Sequence, residues 1–315
     1  MTIPHTTPVV WTDFHPRPES MAAAINCQSH EGCRIALLGL PDDTGIGMSN
    51  GRTGARRGPA AFRRVLARYA QAYDAIGNHD LSTIGIYDAG DVNPAGDEIH
   101  ITHDRVTDAV RAIVDLGLLP VCIGGGQDLS CAALRAIWPT VDRLAGIKVD
   151  AHLDVETRVG SQMLLRRVVE KSDGRVAPEG LHVVGLEPFA NKRSEIEWAR
   201  EAGINLVVYD DNEQAMAERV RRIIDDLQSE PATFVTFDLD VMEGAFAPGV
   251  AGLNPSGFTP ALGSKICRDI GRLRNLRYFD LMELSPAHDV EDRTAMLTAH
   301  LFMSFLAGFA EHRMA

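Results

Sequence analysis

From Arg34 onward the chain alternates short apolar runs with amphipathic stretches, and no linker-like break interrupts the pattern. The apolar runs Arg34–Leu40, Ile84–Tyr87, Pro120–Ile123, Leu144–Val149, Leu181–Leu186, Asn205–Tyr209, Thr233–Phe237 and Leu276–Met282 read as strands. Between them, Pro59–Tyr73, His103–Leu116, Ser194–Ala202 and Ala215–Leu227 carry helix-like spacing, and the almost wholly apolar Thr294–Phe309 is expected to pack against the sheet. Strands alternating with helices demand right-handed crossovers, hence a mostly parallel sheet covered on both faces. The expectation is one doubly wound α/β domain over 34–315. Residues 1–33, rich in Pro, Thr and polar side chains, read as an arm on the surface anchored by Trp11 and Phe14.

Composition enters as a set of exclusions. A net charge of -12 argues against a nucleic-acid partner, which needs a basic surface. No apolar run is long enough to span a bilayer, and no polybasic cluster would bind one, so no membrane partner is expected. The N-terminus lacks a basic start followed by an apolar stretch, so a secretory signal is not expected. Five cysteines (Cys27, Cys33, Cys122, Cys131 and Cys267) form no framework and read as reduced thiols, although Cys27 and Cys33 could pair under oxidation. A cytoplasmic protein is the expectation.

In a parallel sheet, ligands bind where the carboxyl ends of the strands open into loops. The fourth strand candidate runs into Asp150-Ala151-His152-Leu153-Asp154, with a polar residue at every second position. If the extended conformation continues, these three side chains share a face. The seventh strand candidate repeats the pattern with Asp238 and Asp240. Each stretch alone could be a solvated turn. Together they gather four carboxylates and an imidazole, which repel unless protons or about two divalent cations intervene. Oxygen-dominated donors with one imidazole suit Mn²⁺ better than structural zinc. Two ions about 3.5–4 Å apart could ionise a shared water. The Gly124-Gly125-Gly126 turn fits no phosphate-binding fingerprint and reads as a tight bend carrying Gln127 toward the cluster.

These residues resemble the ureohydrolases, the family of arginases, agmatinases and formimidoylglutamases. The resemblance runs from about Arg34 to His312 and is carried by Asp150-Ala151-His152-Leu153-Asp154, by Phe237-Asp238-Leu239-Asp240 with Pro248-Gly249, and by Asp280-Leu281-Met282-Glu283-Leu284-Ser285-Pro286. It implies a three-layer α/β/α sandwich on an eight-stranded, mostly parallel sheet, two Mn²⁺ ions, and a homo-oligomer, trimeric or hexameric. Asp150 and Asp238 would bridge the ions, His152 and Asp240 would complete the second site, and Asp154 with Gln127 the first. The family normally has His at the Gln127 position. An amide oxygen lacks the basicity of imidazole, so the first site is expected to be weak.

Within the family, the chain looks like a formimidoylglutamase. The loop Asn50-Gly51-Arg52-Thr53-Gly54-Ala55-Arg56-Arg57-Gly58-Pro59 is similar to that branch, and so is the Gly-Leu-Glu-Pro-Phe-Ala-Asn run ending at Asn191. The loop 159–166 lacks the proton-shuttling His of arginases. The implied reaction is hydrolysis of N-formimidoyl-L-glutamate to L-glutamate and formamide by a metal-bound hydroxide, as in histidine degradation. Asp154 would relay the proton, and Glu283 would hydrogen-bond the cationic formimidoyl nitrogen. Arg158, backed by Asn50, Arg52 and Ser161, would meet the small-molecule substrate's carboxylates. The rival readings are a ureohydrolase that releases urea from a guanidino compound, a metal-deficient, non-catalytic homologue, and a single-metal amidohydrolase that resembles the related deacetylases and uses only Asp150, His152, Asp238 and Asp240.

Overall fold

The computed structural model describes residues 3–26, 28–69 and 71–313. Cys27, and with it any pairing to Cys33, lies outside the described residues. Among the described residues, nine strands form the main sheet: β1 (Thr6–Thr7), β2 (Ile35–Leu40), β3 (Ile86–Val92), β4 (Leu119–Gly124), β5 (Ala145–Val149), β6 (Leu181–Leu186), β7 (Asn205–Val208), β8 (Thr233–Asp238) and β9 (Leu276–Met282). Their order is β1-β3-β2-β4-β9-β8-β5-β6-β7. The expected count of eight describes the parallel part. The ninth strand is β1, contributed by the N-terminal segment, which pairs antiparallel with β3 at the edge.

The helices of eight or more residues are α1 (Gly58–Tyr69), α2 (Ile99–Asp115), α3 (Asp128–Ile137), α4 (Leu164–Lys171), α5 (Arg193–Ala202), α6 (Glu213–Leu227), α7 (Pro260–Gly271) and α8 (Arg293–Arg313). Alternate strand residues feed two separate cores, which makes the fold a three-layer sandwich. Ile35, Leu37, Phe279 and Leu281 pack with Phe62, Ile224, Ile266, Phe302 and Phe305 from α1, α6, α7 and α8. Ala36, Leu38, Tyr278 and Met282 pack with Val106, Leu134, Leu165 and Ala199 from α2 to α5. Burial on both faces is why the strands read as continuous apolar runs.

β3 differs from its expected span of Ile84–Tyr87. Leu81–Ile84 is a 3-10 turn, Gly85 follows at φ 72, and the strand continues through Asp88 and Asp91 to Val92. Acidic residues survive there because the buried Arg63 of α1 holds Asp88 through Nε and Nη2, each at 2.9 Å, and Asp91 through Nη1 at 2.6 Å. The indole N–H of Trp11 also donates to Asp88, at 2.7 Å, pinning the N-terminal segment to the sheet.

The register positions the candidate site. Chain order jumps from β4 to β5 across β9 and β8, so the middle of the sheet is a topological switch point. Phe237 of β8 aligns with Val149 of β5, and Asp238 aligns with Met282 of β9. The residues that follow, Asp150 and Glu283, therefore leave the sheet beside Asp238. Leu281 aligns with Ile123 of β4, which brings the glycine turn and Gln127 to the same edge.

Candidate metal centre

The two acidic strand ends converge by a different route from continued extension. β5 stops at Val149, and Asp150 turns the chain by accepting the His152 backbone N–H on Oδ1 at 2.6 Å. Asp238 does the same for the Asp240 N–H at 2.8 Å. These are twin Asx turns, in which a side-chain carboxylate replaces the lost ladder partner. The turns aim His152 at Asp240, with Nδ1 3.0 Å from Oδ2, and leave it 3.5 Å from Asp150 Oδ1. One ligand atom from each of Asp150, His152 and Asp240 lies within 4.8 Å of the others. Asn191 braces the loop from outside: its amide accepts from Leu153 N at 2.8 Å and donates to the Ala151 carbonyl at 2.9 Å.

Electrostatics at this edge are severe. Burial, then the Asp240 and Asp150 charges, push the Asp238 carboxyl well above its ordinary range. Asp240 beside His152 raises the imidazole to about 12. Burial raises Asp154 to about 7, with Lys148 opposing and Asp150 reinforcing the shift.

Gln127 begins the helical region after the glycine turn and is 1% exposed. Its Nε2 donates to Thr236 Oγ1 at 2.7 Å, and its backbone N–H donates to Glu283 Oε1 at 2.9 Å. Glu283, at φ 68, leaves β9 through a left-handed residue and donates its own N–H to the Gly125 carbonyl at 2.9 Å. A Cβ on Gly125 would collide with the carbonyls of Asp42 and Leu40, so this crossing requires glycine.

Sequence reasoning missed Lys148. It was read as part of the buried end of β5, yet it is a lysine 2% exposed, two positions before Asp150 and on the same strand face. Its ammonium pairs with Asp150 Oδ2, lies 3.0 Å from Asp154 Oδ2, and donates to the His152 carbonyl at 2.8 Å. A lysine inside an apolar run in step with the acidic residues was the available signal.

Ser161, Gln127, His152, Asp154, Asp238, Asp240 and Glu283 line one cleft. Asn50 and Arg158 are exposed and stand outside this lining. Arg52 donates through Nη2 to the Val250 carbonyl at 2.7 Å and through Nε to the Ala251 carbonyl at 3.1 Å, so its guanidinium ties down a wall of the cleft. A larger groove, about 650 Å³ and lined by Tyr73, Ile76, Arg268 and His300, lies elsewhere. Size and chemistry disagree, and chemistry decides. Among the described residues, Gln127 Oε1, Asp240 Oδ1 and Glu283 Oε2 are buried without a hydrogen-bond partner, and all three residues line the smaller cleft. Converging orphan acceptors are costly to bury unless a cation or donor meets them.

The arginase family profile matches residues 33–308. The chain belongs to the arginase family. This family member is 30% identical over 294 residues to formimidoylglutamase of Streptococcus pyogenes, across 90% of this chain and 87% of that one. The crystal structure of Trypanosoma cruzi formiminoglutamase with Mn²⁺ matches with TM-score 0.84 at 26% identity, covering 93% of this chain and 98% of that one. Formimidoylglutamase from Bacillus subtilis, at 22% identity and TM-score 0.83 over 93% of this chain and 92% of its own, shares the fold.

Proposed function

We propose that this arginase-family chain is a metal-dependent hydrolase that converts N-formimidoyl-L-glutamate and water to L-glutamate and formamide. The observation that carries the reading is the set of unpartnered buried acceptors on Gln127, Asp240 and Glu283 around the Asp150–His152–Asp240 cluster. The similarity to formimidoylglutamases over nine-tenths of the chain supports the choice of substrate.

The second metal position fits a manganese-type ion: Asp150, His152, Asp238 and Asp240 offer hard oxygens and one imidazole. The first would draw on Gln127 and Asp154 and is the weaker of the two. A bound divalent ion supplies Lewis acidity, which brings the ionisation of water toward neutral pH.

The chain's own groups do the rest. Gln127, fixed through its Nε2 by Thr236, points its amide oxygen into the site. Glu283, held at Oε1, offers Oε2 as acceptor and counter-charge to the formimidoyl N–H groups. Asp154 takes the proton released when water adds to the formimidoyl carbon and returns it to the glutamate nitrogen as the C–N bond breaks. Ser161 and Arg158, on the loop that follows β5, meet the substrate carboxylates with Asn50, while Arg52 shapes the wall at Val250 and Ala251.

The same reading takes 34–315 as a single catalytic domain behind a 1–33 arm, in a cytoplasmic homo-oligomer, trimeric or hexameric. No helix of the described residues is long and apolar enough to cross a membrane, which accords with that setting. A substrate panel tests the proposal. Mn²⁺-supplemented protein should release formamide from formimidoylglutamate and no urea from agmatine, arginine or guanidino acids. Urea without formamide would replace this reading with that of a guanidino hydrolase.

A further inference from the structure

We propose that the Lys148 ammonium stands where a first metal ion would otherwise balance charge, so that the chain binds one manganese ion and uses its own lysine as the other cation. The inference deepens the metal-hydrolase reading above and rests on it.

Geometry carries the argument. Lys148 is 2% exposed and sits in the middle of the sheet, its backbone aligned with Thr236 of β8 and Val183 of β6. An ammonium has three N–H donors. Here they have three acceptors: Asp150 Oδ2, Asp154 Oδ2 at 3.0 Å and the His152 carbonyl at 2.8 Å. Asp150 and Asp154 are the carboxylates that a first ion would need together.

Asp150 is divided between two neighbours. Oδ1 faces the His152 backbone N–H and lies 3.5 Å from the imidazole, on the side of Asp240. Oδ2 is paired with the ammonium. The carboxylate expected to bridge two ions thus bridges a metal position and a lysine. Among the described residues, the clustered ligand atoms belong to Asp150, His152 and Asp240, all at the second position. A divalent ion set against Asp150 and Asp154 would lie beside an ammonium, and two like charges in a desolvated site repel strongly.

Gln127 agrees with this division independently. A neutral amide oxygen is a weak ligand for a divalent ion but a sufficient dipole beside a cation already neutralised by two carboxylates. Its orphan Oε1 is buried, and Gln127 and Asp154 line the same cleft.

The test is metal stoichiometry with a spectroscopic readout. Full-length protein is saturated with Mn²⁺, freed of loose ions, and measured by elemental analysis and electron paramagnetic resonance. The expected result is one Mn²⁺ per chain, with the hyperfine pattern of an isolated ion. The double variant Lys148→Ala with Gln127→His should take up a second ion and show an exchange-coupled spectrum. Two ions per wild-type chain with exchange coupling would overturn the inference and leave the hydrolase reading intact. A folded double variant that stays at one ion would also overturn it, because the ammonium would not be what excludes the second. Wild-type protein that binds no Mn²⁺ would instead remove the metal reading on which both depend. The wild-type measurement stands even if the variant fails to fold.

Discussion

Gln127 and Glu283, 156 positions apart in sequence, are joined by one hydrogen bond: the Gln127 backbone N–H donates to Glu283 Oε1 at 2.9 Å. The bond locks the glycine turn after β4 to the end of β9 and fixes which glutamate oxygen stays free. Glu283 Oε2, buried and unpartnered, is the oxygen that the proposed reaction gives to substrate.

Glu283→Gln separates the two jobs. The amide oxygen can still accept from Gln127, while the charge facing the formimidoyl group is gone. Catalysis, measured as kcat/KM on formimidoylglutamate, should fall by about 10²–10³-fold with the melting temperature held or raised. Glu283→Ala should also destabilise by about 1–3 kcal/mol, because the Gln127 N–H is left unpaired in the interior. A Glu283→Gln variant with near-normal kcat/KM would remove Glu283 from the active site.

The two arginines should behave differently. Arg158 is exposed and is assigned to the substrate carboxylates, a grip felt equally in ground and transition states. Arg158→Ala should raise KM about tenfold or more with kcat nearly unchanged. Arg52 holds the Val250 and Ala251 carbonyls, so Arg52→Ala should lower kcat and protease resistance together. Steady-state kinetics with limited proteolysis would distinguish them, and a pure KM effect at Arg52 would make it a substrate ligand instead.

Asp280 gives a pH dependence with a definite sign. Burial pushes its carboxyl from 3.8 to about 6, although the Ser130, Thr236 and Tyr278 hydroxyls and the Phe237 N–H favour the charged form. The fold therefore prefers the protonated acid. This contribution is complete below the unfolded value near 3.8 and is lost as pH rises through about 6. Asp280→Asn does not titrate, so wild-type melting temperature should drop relative to the variant between about pH 4 and about pH 7. A difference that stays flat, or grows in favour of wild type, would contradict the assignment.

Arg63 should be a point of failure for the fold. It is buried against Asp88 and also pairs with the half-buried Asp91, so removing it strands one acid inside the sheet and leaves a second unpaired beside it. Arg63→Met should cost about 3–5 kcal/mol by chemical denaturation. Arg63→Lys should recover little, because a lysine cannot reproduce the paired contact to both Asp88 oxygens.

The inner parallel strands were legible because burial on both faces writes them as apolar runs, whereas β7 at the edge is buried only at Val207. Where a charged pair lies inside a strand, as at Asp88 and Asp91, the pattern broke, and the partner that rescues it sits 25 and 28 positions away on α1. The alternation of Asp150, His152 and Asp154 drew attention to residues that lie together at one strand end, but it is a turn and not extended strand that assembles them. Lys148 hid inside a hydrophobic run, and the Thr236 bond that orients Gln127 depends on strand register that no local pattern encodes.

In the proposed reaction the bond to glutamate's nitrogen is the one cleaved. Labelling the formimidoyl carbon with ¹³C and following the reaction by NMR tests it directly. All label should appear in formamide, with free glutamate formed in equal amount. Label appearing in N-formylglutamate, with release of ammonia, would show the other C–N bond breaking and would contradict the roles given to Asp154 and Glu283.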